Sequence, residues 1–144
     1  MSKIRITRTI NASVETVFQT IADIRNFSKA VPEIVDIEFL SASRSGVGTR
    51  FKETRKMNGK EAVEELEVTE YVENDHIRIV ADSHGTVWDS LFTVKKSGDH
   101  TELTLVMEAK AYKFLPKLMT PIMRYFIKKA IAKDMAAVKD YCEK

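Results

Sequence analysis

The chain lacks the features on which secreted and membrane-spanning proteins rely. Cys142 is the one cysteine among 144 residues, so no intramolecular disulfide can form. No apolar run approaches the roughly 18 residues of a membrane-spanning helix. Met1 leads directly into alternating sequence, which predicts that there is no signal peptide. These absences favour a cytoplasmic setting, with Cys142 as an unreactive residue at a helix end.

Common catalytic and cofactor-binding patterns are also missing. The sequence contains no Gly-rich phosphate loop, no nucleophile elbow and no arrangement typical of a catalytic triad. His76, His84 and His100 fall at predicted strand ends without the spacing of metal ligands. The net charge of +2 is too small to favour nucleic acid as a partner. We therefore expect no cofactor, no metal and no nucleic-acid partner.

What is present fits one domain over residues 1–144. The hydrophobic fraction of 44% and the charged fraction of 31% are ordinary for a globular protein with a single core. No repeat, low-complexity tract or Pro/Gly linker divides the chain. Basic residues are concentrated after Tyr112, in a segment with helical periodicity. Such a helix either touches an anionic membrane or, more commonly, presents a solvated basic face.

The first forty residues predict a strand, two short helices and a second strand. Lys3–Ile10 alternates like a strand, although Arg8 interrupts its apolar face. Ser13 has the residue type of a helix N-cap and precedes apolar residues at helical spacing. Arg25–Ile34 predicts a second short helix that is interrupted by Pro32, and Val35–Leu40 predicts a strand.

Asn58-Gly59 is the strongest hairpin signal in the chain, typical of a two-residue type I′ turn. With these residues as the loop, the outer face carries three opposite-charge pairs: Lys56 with Glu61, Lys52 with Glu65, and Arg50 with Glu67. The inner face then pairs Glu53 with Glu64, and Arg55 is their diagonal neighbour. A slip of one residue would destroy this pattern, so the sequence predicts the register as well as the hairpin.

Two further hairpins agree on which face is apolar. Loops at His84-Gly85 and Gly98-Asp99 place Ala81 opposite Trp88 and Ser90 opposite Met107 on one face. This agreement predicts an antiparallel sheet with one buried face. We expect five apolar side chains to be buried: Leu66, Ile79, Phe92, Leu105 and Phe126. We expect four charged side chains to be exposed: Arg50, Lys52, Glu65 and Glu67.

After Tyr112 the periodicity becomes helical. Thr120-Pro121 predicts the N-cap and first residue of a long helix that ends near Cys142, with an extra turn near Leu115–Met119. The apolar stripe of this helix is predicted to contain the following residues: Met119, Met123, Phe126, Ala130, Ile131, Asp134, Val138 and Tyr141.

This order of elements resembles the START-like (SRPBCC) superfamily, whose helix-grip fold occurs in birch-pollen allergens, lipid-transfer domains and polyketide cyclases. Three segments carry the resemblance: Ile10–Phe18, Val47-Gly48-Thr49-Arg50-Phe51 and Trp88-x-Ser90-x-Phe92. The likeness covers essentially the whole chain and is nearest to the polyketide cyclase/dehydrase and lipid-transport family. It implies an α+β fold: a curved antiparallel sheet of about seven strands wrapped around a long C-terminal helix, with two short helices after the first strand.

The resemblance also implies an internal cavity for a hydrophobic ligand, entered near the loops at Asn58-Gly59 and His84-Gly85. The superfamily shares no universal catalytic motif, so it assigns no catalytic residue. Combining the implied cavity with the predicted sheet face and helix gives these candidate ligand-binding residues: Glu53, Arg55, Glu64, Ala81, Trp88, Ser90, Met107, Met119, Met123 and Phe126.

These candidates admit more than one role. Glu53 and Glu64 disfavour joint ionisation, which suits an acid/base group or a polar clamp; a solvated hairpin tip is the plainer alternative. Trp88 either stacks on a ligand or packs in the core. The methionines form an adaptable cavity wall or fill the core, where Met107 is expected to meet the two helix methionines.

We expect a binding or transport protein for a small, largely hydrophobic molecule, acting as a monomer or homodimer. One alternative is a cyclase/dehydratase-like enzyme that uses Glu53, Arg55 and Glu64. Another is a lipid or quinone chaperone that docks on membranes through its basic helix. Binding is favoured over catalysis because Arg55 offers charge compensation and the hairpin tip is expected to be wet, so that both glutamates stay ionised.

Overall fold

The computed structural model describes residues 2–57, 59–83, 85–111 and 121–144. Its elements follow one another in the predicted order: β1 (Ser2–Ile10), α1 (Val14–Ala22), α2 (Ile24–Ala30), β2 (Ile34–Phe39), β3 (Arg50–Met57), β4 (Lys60–Val72), β5 (His76–Ser83), β6 (Thr86–Ser97), β7 (His100–Ala111) and α3 (Pro121–Cys142). Over these residues the fold class is the predicted one, an α+β helix-grip arrangement.

Within the described residues, seven strands form one open antiparallel sheet in the order β1-β7-β6-β5-β4-β3-β2. Every pair of neighbouring strands is consecutive in the sequence, except the pair formed by β1 and β7. Register shifts interrupt the pairing at Ile34/Asp36 and at Val68/Glu70. Such irregularities bend the strand that carries them, so they help one face of the sheet to close around α3.

The predicted hairpin registers are confirmed. Met57 pairs with Lys60, Ser83 with Thr86, and Ser97 with His100, which leaves two residues in each loop. Gly59 has φ of 79°, a conformation that glycine adopts without the steric cost of a side chain. The predicted turn residues Asn58 and His84 lie outside the described residues.

The outer face of the first hairpin has the predicted pairing but a different ion pair. Lys56 lies opposite Glu61 and Arg50 opposite Glu67, as expected. The Arg50 guanidinium nevertheless lies 4.0 Å from the carboxylate of Glu65, a diagonal neighbour. Lys52 is half-buried rather than exposed, because its side chain lies in a shallow groove beside Val63 and Asp82.

The two short helices are defined by their caps. Ser13 caps α1 through its side chain, as predicted, and Asp23 caps α2 by accepting bonds from two backbone amides. Helix α2 ends at Ala30, four residues earlier than predicted. Val31 is extended because the ring of a following proline disfavours helical backbone in the residue before it.

The core lies between the inner face of the sheet and the three helices, and α3 packs against α1, α2 and β1. Ile79, Phe92 and Leu105 are buried as predicted, whereas Leu66 is half-buried. The buried residues of α3 recur at helical spacing: Ile131, Met135, Val138 and Cys142.

Phe126 is not buried, which corrects the prediction for α3. Its side chain is 60% exposed. Phe126 lies nine residues before Met135, a rotation of about 180° around the helix, so the two side chains point to opposite sides. The neighbouring Ile127 faces the sheet instead and packs against the core.

Cys142 is the last residue of α3 and is buried. Its thiol lies 3.4 Å from the hydroxyl of Thr20 in α1. Desolvation raises the pKa of the Cys142 thiol above its ordinary value, which disfavours the reactive thiolate. Among the described residues, no helix is long and apolar enough to cross a membrane.

Candidate functional site

A cavity of about 300 Å³ lies between the inner face of the sheet, the two short helices and α3. Most of its wall is apolar, and the largest contributions come from strands β3 to β7 and from one side of α3. Six of the apolar lining residues are Phe51, Leu66, Ile79, Phe92, Ile127 and Ile131. Polar side chains also line the cavity, and three of them carry negative charge.

Seven of the ten sequence-predicted site residues line this cavity: Glu53, Arg55, Glu64, Ala81, Trp88, Ser90 and Met107. They come together because each occupies an inward position on β3, β4, β5, β6 or β7 in the confirmed register. Ala81 is buried, and Trp88 and Ser90 are half-buried beside it.

The helix residues of the prediction do not join this group. Phe126 faces away from the sheet, and Met123 is 42% exposed two turns before the first buried residue of α3. Neither side chain lines the cavity. The expected convergence of Met123 with Met107 is therefore wrong, and Met119 lies outside the described residues.

Arg55 is the centre of a partly buried charge cluster at one end of the cavity. Its Nη1 and Nη2 donate to the two carboxylate oxygens of Asp134 at 3.0 and 2.8 Å. Its Nε donates to Glu53 at 2.7 Å. Two parallel bonds between a guanidinium and a carboxylate fix both distance and orientation, so β3 and α3 are held in one relative position here.

Sequence reasoning missed three members of this cluster as site residues: Glu33, Lys133 and Asp134. The Glu33 carboxylate lies 3.8 Å from Arg55 Nη1 and accepts a hydrogen bond from Lys133 at 2.8 Å. Glu33 precedes β2, and its proximity to α3 depends on long-range packing that periodicity does not report. Asp134 did give a signal, because it is the one charged residue in the predicted apolar stripe of the helix.

The environment of the cluster shifts two pKa values. Burial alone would lower the pKa of the Arg55 guanidinium, but the bonds and charges of Asp134 and Glu53 outweigh burial and raise it. Burial raises the pKa of the Asp134 carboxyl, against the opposing effect of Arg55. Arg55 thus remains positively charged throughout the physiological range, with its charge already matched by two contacting carboxylates.

Glu64 differs from the other carboxylates. It pairs with Glu53 across the β3–β4 ladder, and no ion pair joins it to a basic side chain among the described residues. Its side chain is exposed on one side and lines the cavity on the other. Partial desolvation and the negative charge of Glu53 raise its pKa above the ordinary value, and Arg55 counteracts them in part.

Two further residues with polar groups, Trp88 and Ser90, line the cavity. Within the part of the chain that the structure describes, the indole N–H of Trp88 and the hydroxyl of Ser90 have no hydrogen-bond partner. Both could donate a hydrogen bond to a bound molecule. In the same residues, no group of three or more His, Cys, Asp or Glu side chains is arranged to hold a metal ion.

Comparison with known proteins identifies one family. The family model described as polyketide cyclase / dehydrase and lipid transport matches residues 1–143. No curated protein matches the chain.

Several solved structures share the fold at low sequence identity. A START superfamily protein from Mycobacterium smegmatis is 20% identical with a TM-score of 0.81, covering 98% of this chain and 97% of that protein. Ara h 8.0201 is 12% identical with a TM-score of 0.80, at 98% and 97% coverage. The di-domain ARO/CYC protein BexL is 15% identical with a TM-score of 0.75; the match covers 98% of this chain and 46% of BexL.

Proposed function

Because the chain belongs to the polyketide cyclase/dehydrase and lipid transport family, we propose that it binds a small, largely apolar molecule in the cavity beside Trp88. The protein would act in the cytoplasm as a single domain over residues 1–144, as a monomer or a homodimer. Apolar burial would supply most of the affinity, and a few polar groups at one end would fix the orientation of the ligand.

The observation that carries this proposal is a largely apolar cavity of about 300 Å³ whose wall includes two residues, Trp88 and Ser90, with polar groups that have no hydrogen-bond partner among the described residues. This volume is at the lower end of the roughly 300–1,000 Å³ typical of ligand sites. A core that only stabilised the fold would be filled to the density of an organic crystal. The small side chains of Ala81 and Ser90 beside Trp88 maintain the free volume.

Trp88 offers a direct test, since it is the sole tryptophan. Titration with an apolar probe such as decanol should change its fluorescence saturably. Ala81→Leu, which adds volume inside the cavity, should weaken binding, whereas Val63→Leu on the outer face should not. Native mass spectrometry of protein purified from its own host should detect a bound small molecule. Unchanged fluorescence across a panel of apolar probes would contradict the proposal.

Catalysis of the cyclase/dehydratase type is a second candidate, favoured by the raised pKa of Glu64. A carboxyl that is protonated at a higher pH than usual is better suited to donate a proton to a leaving hydroxyl group. The fold likeness to BexL, an ARO/CYC protein, is compatible with such chemistry. In an enzyme, Glu64→Gln should abolish turnover and leave ligand binding intact; in a pure binding protein no turnover should be found with either form.

Docking on an anionic membrane is a third candidate, favoured by the exposed start of α3. Four large apolar side chains and three basic ones are exposed within its first nine residues: Ile122, Met123, Tyr125, Phe126, Arg124, Lys128 and Lys129. Aromatic and basic residues on one short helical segment are typical of contacts with anionic lipid surfaces. A lipid or quinone chaperone would use this surface to collect or release its ligand.

A further inference from the structure

The polar end of the cavity carries more negative than positive charge. Glu53, Glu64 and Asp134 line it with carboxylates, and Arg55 is the one basic side chain among the described lining residues. Lys133 lies nearby, but its ammonium group is bonded to Glu33 at 2.8 Å and is not part of the wall. A ligand entering this end therefore meets an excess of carboxylate.

Arg55 is poorly available to an anionic ligand. Three of its five N–H donors are already bonded, one to Glu53 and two to Asp134. Two carboxylates in direct contact also neutralise its charge. A carboxylate head group would have to displace one of these bonds while facing the negative charge of Glu64.

Glu64 is the carboxylate of this wall that no ion pair joins to a basic side chain among the described residues. Glu64 lies opposite Glu53 in the β3–β4 ladder, and it is Glu53 that forms the ion pair with Arg55. Glu64 is also the most exposed carboxylate of the three, so it lies where a ligand head group can approach from solvent. A positively charged head group there would relieve the repulsion between the two glutamates and supply the missing partner.

We infer that the cavity selects an apolar molecule with a protonated amine head group, which pairs with Glu64 while its apolar body fills the space beside Trp88. Fatty acids and other apolar carboxylates are disfavoured. The inference rests on the proposed binding function and assigns a ligand class to the same site. It makes Glu64 the residue that determines specificity.

Three probes of equal chain length test this selectivity: decylamine, decanol and decanoate. Dissociation constants measured at neutral pH by Trp88 fluorescence and by calorimetry should follow the order amine, alcohol, carboxylate, with the amine bound about tenfold or more tightly than the carboxylate. Glu64→Gln should weaken amine binding several-fold and reduce the preference. Glu67→Gln, the matched change on the outer face of β4, should leave it unaltered.

The outcomes distinguish this inference from the proposed function. If decanoate binds as tightly as decylamine, the amine class is wrong although a binding cavity stands. If none of the three probes binds, the binding function itself fails. If Glu64→Gln and Glu67→Gln weaken amine binding equally, the amine responds to the overall negative charge of the protein surface, and Glu64 does not determine specificity. Fluorescence of both variants without ligand, together with their unfolding curves, shows that each is folded.

Discussion

The Arg55 guanidinium binds both carboxylate oxygens of Asp134, at 3.0 and 2.8 Å, and so joins strand β3 to helix α3 at the edge of the cavity. The side chains of Arg55 and Asp134 are only 20% and 13% exposed. A buried charge is costly unless its partner is present. The ion pair therefore ties the charge balance of the cavity to the docking of the helix that closes it.

We expect Arg55→Met to destabilise the protein by about 3–5 kcal/mol, because Asp134 and Glu53 would keep buried negative charges without a partner. Arg50→Met on the same strand removes only an exposed pair with Glu65 and should cost at most about 1 kcal/mol. Urea denaturation of both variants measures the difference. Equal stability of the two variants would show that the buried pair contributes nothing.

Truncation of Phe92 tests the core. Phe92 is buried and meets the ring of Phe27 edge-on, with centroids 6.0 Å apart. Phe92→Ala should lower the free energy of unfolding by about 3–5 kcal/mol. Val63→Ala, on the exposed outer face of β4, should change it by no more than about 0.5 kcal/mol. A small effect of Phe92→Ala would place the core elsewhere.

We expect the exposed aromatic residues of α3 to contact the membrane and to contribute little to the free energy of unfolding. Tyr125→Ser and Phe126→Ser together should reduce co-sedimentation with phosphatidylserine vesicles and leave the unfolding transition unchanged. Val63→Ser, which removes an exposed apolar side chain from the sheet, is the control and should bind vesicles like the wild type. Equal binding of all variants, or equal binding to uncharged phosphatidylcholine vesicles, would exclude docking through this segment.

The raised pKa of Glu64 has a defined consequence for stability. The folded state holds the proton more tightly than the unfolded state, whose value is about 4.5, so the contribution of Glu64 to stability falls as the pH rises through the folded-state pKa. Glu64→Gln should thus be at least as stable as the wild type near neutral pH, and its advantage should disappear on acidification. Chemical denaturation of both proteins across this pH range measures the change; an advantage that grows at low pH would mean that the pKa is lowered instead.

The sequence predicted the sheet far better than the packing of the helix against it. A two-residue loop fixes every opposed pair in a hairpin, so placing Trp88 opposite Ala81 required only local information. The side of α3 that faces the sheet depends on contacts with distant elements. Phe126 and Ile127 are adjacent and both apolar, and only the packing decides which one enters the core.

The same limit explains why the charge cluster was only half predicted. Glu53, Glu64 and Arg55 belong to one hairpin, and alternation along two strands places them on one face. Glu33 and Asp134 come from a loop and a helix that are far away in sequence. Asp134 could have been recognised, because a carboxylate inside an apolar helical stripe requires a positively charged partner. No local pattern marked Glu33.

The pairing of β1 with β7 has a consequence for how the molecule folds. Ile4 lies opposite Met107 in this ladder, so two strands about 100 residues apart in sequence must meet before β1 can pair. Closing so long a loop is entropically costly and must precede the contacts that compensate for it. Folding should accordingly be slow for a chain of this size. The hairpins β3–β4, β5–β6 and β6–β7 can form early, because their contacts are local in sequence. During synthesis on the ribosome, β1 would remain without its partner strand, and its three isoleucines without their core contacts, until β7 has emerged.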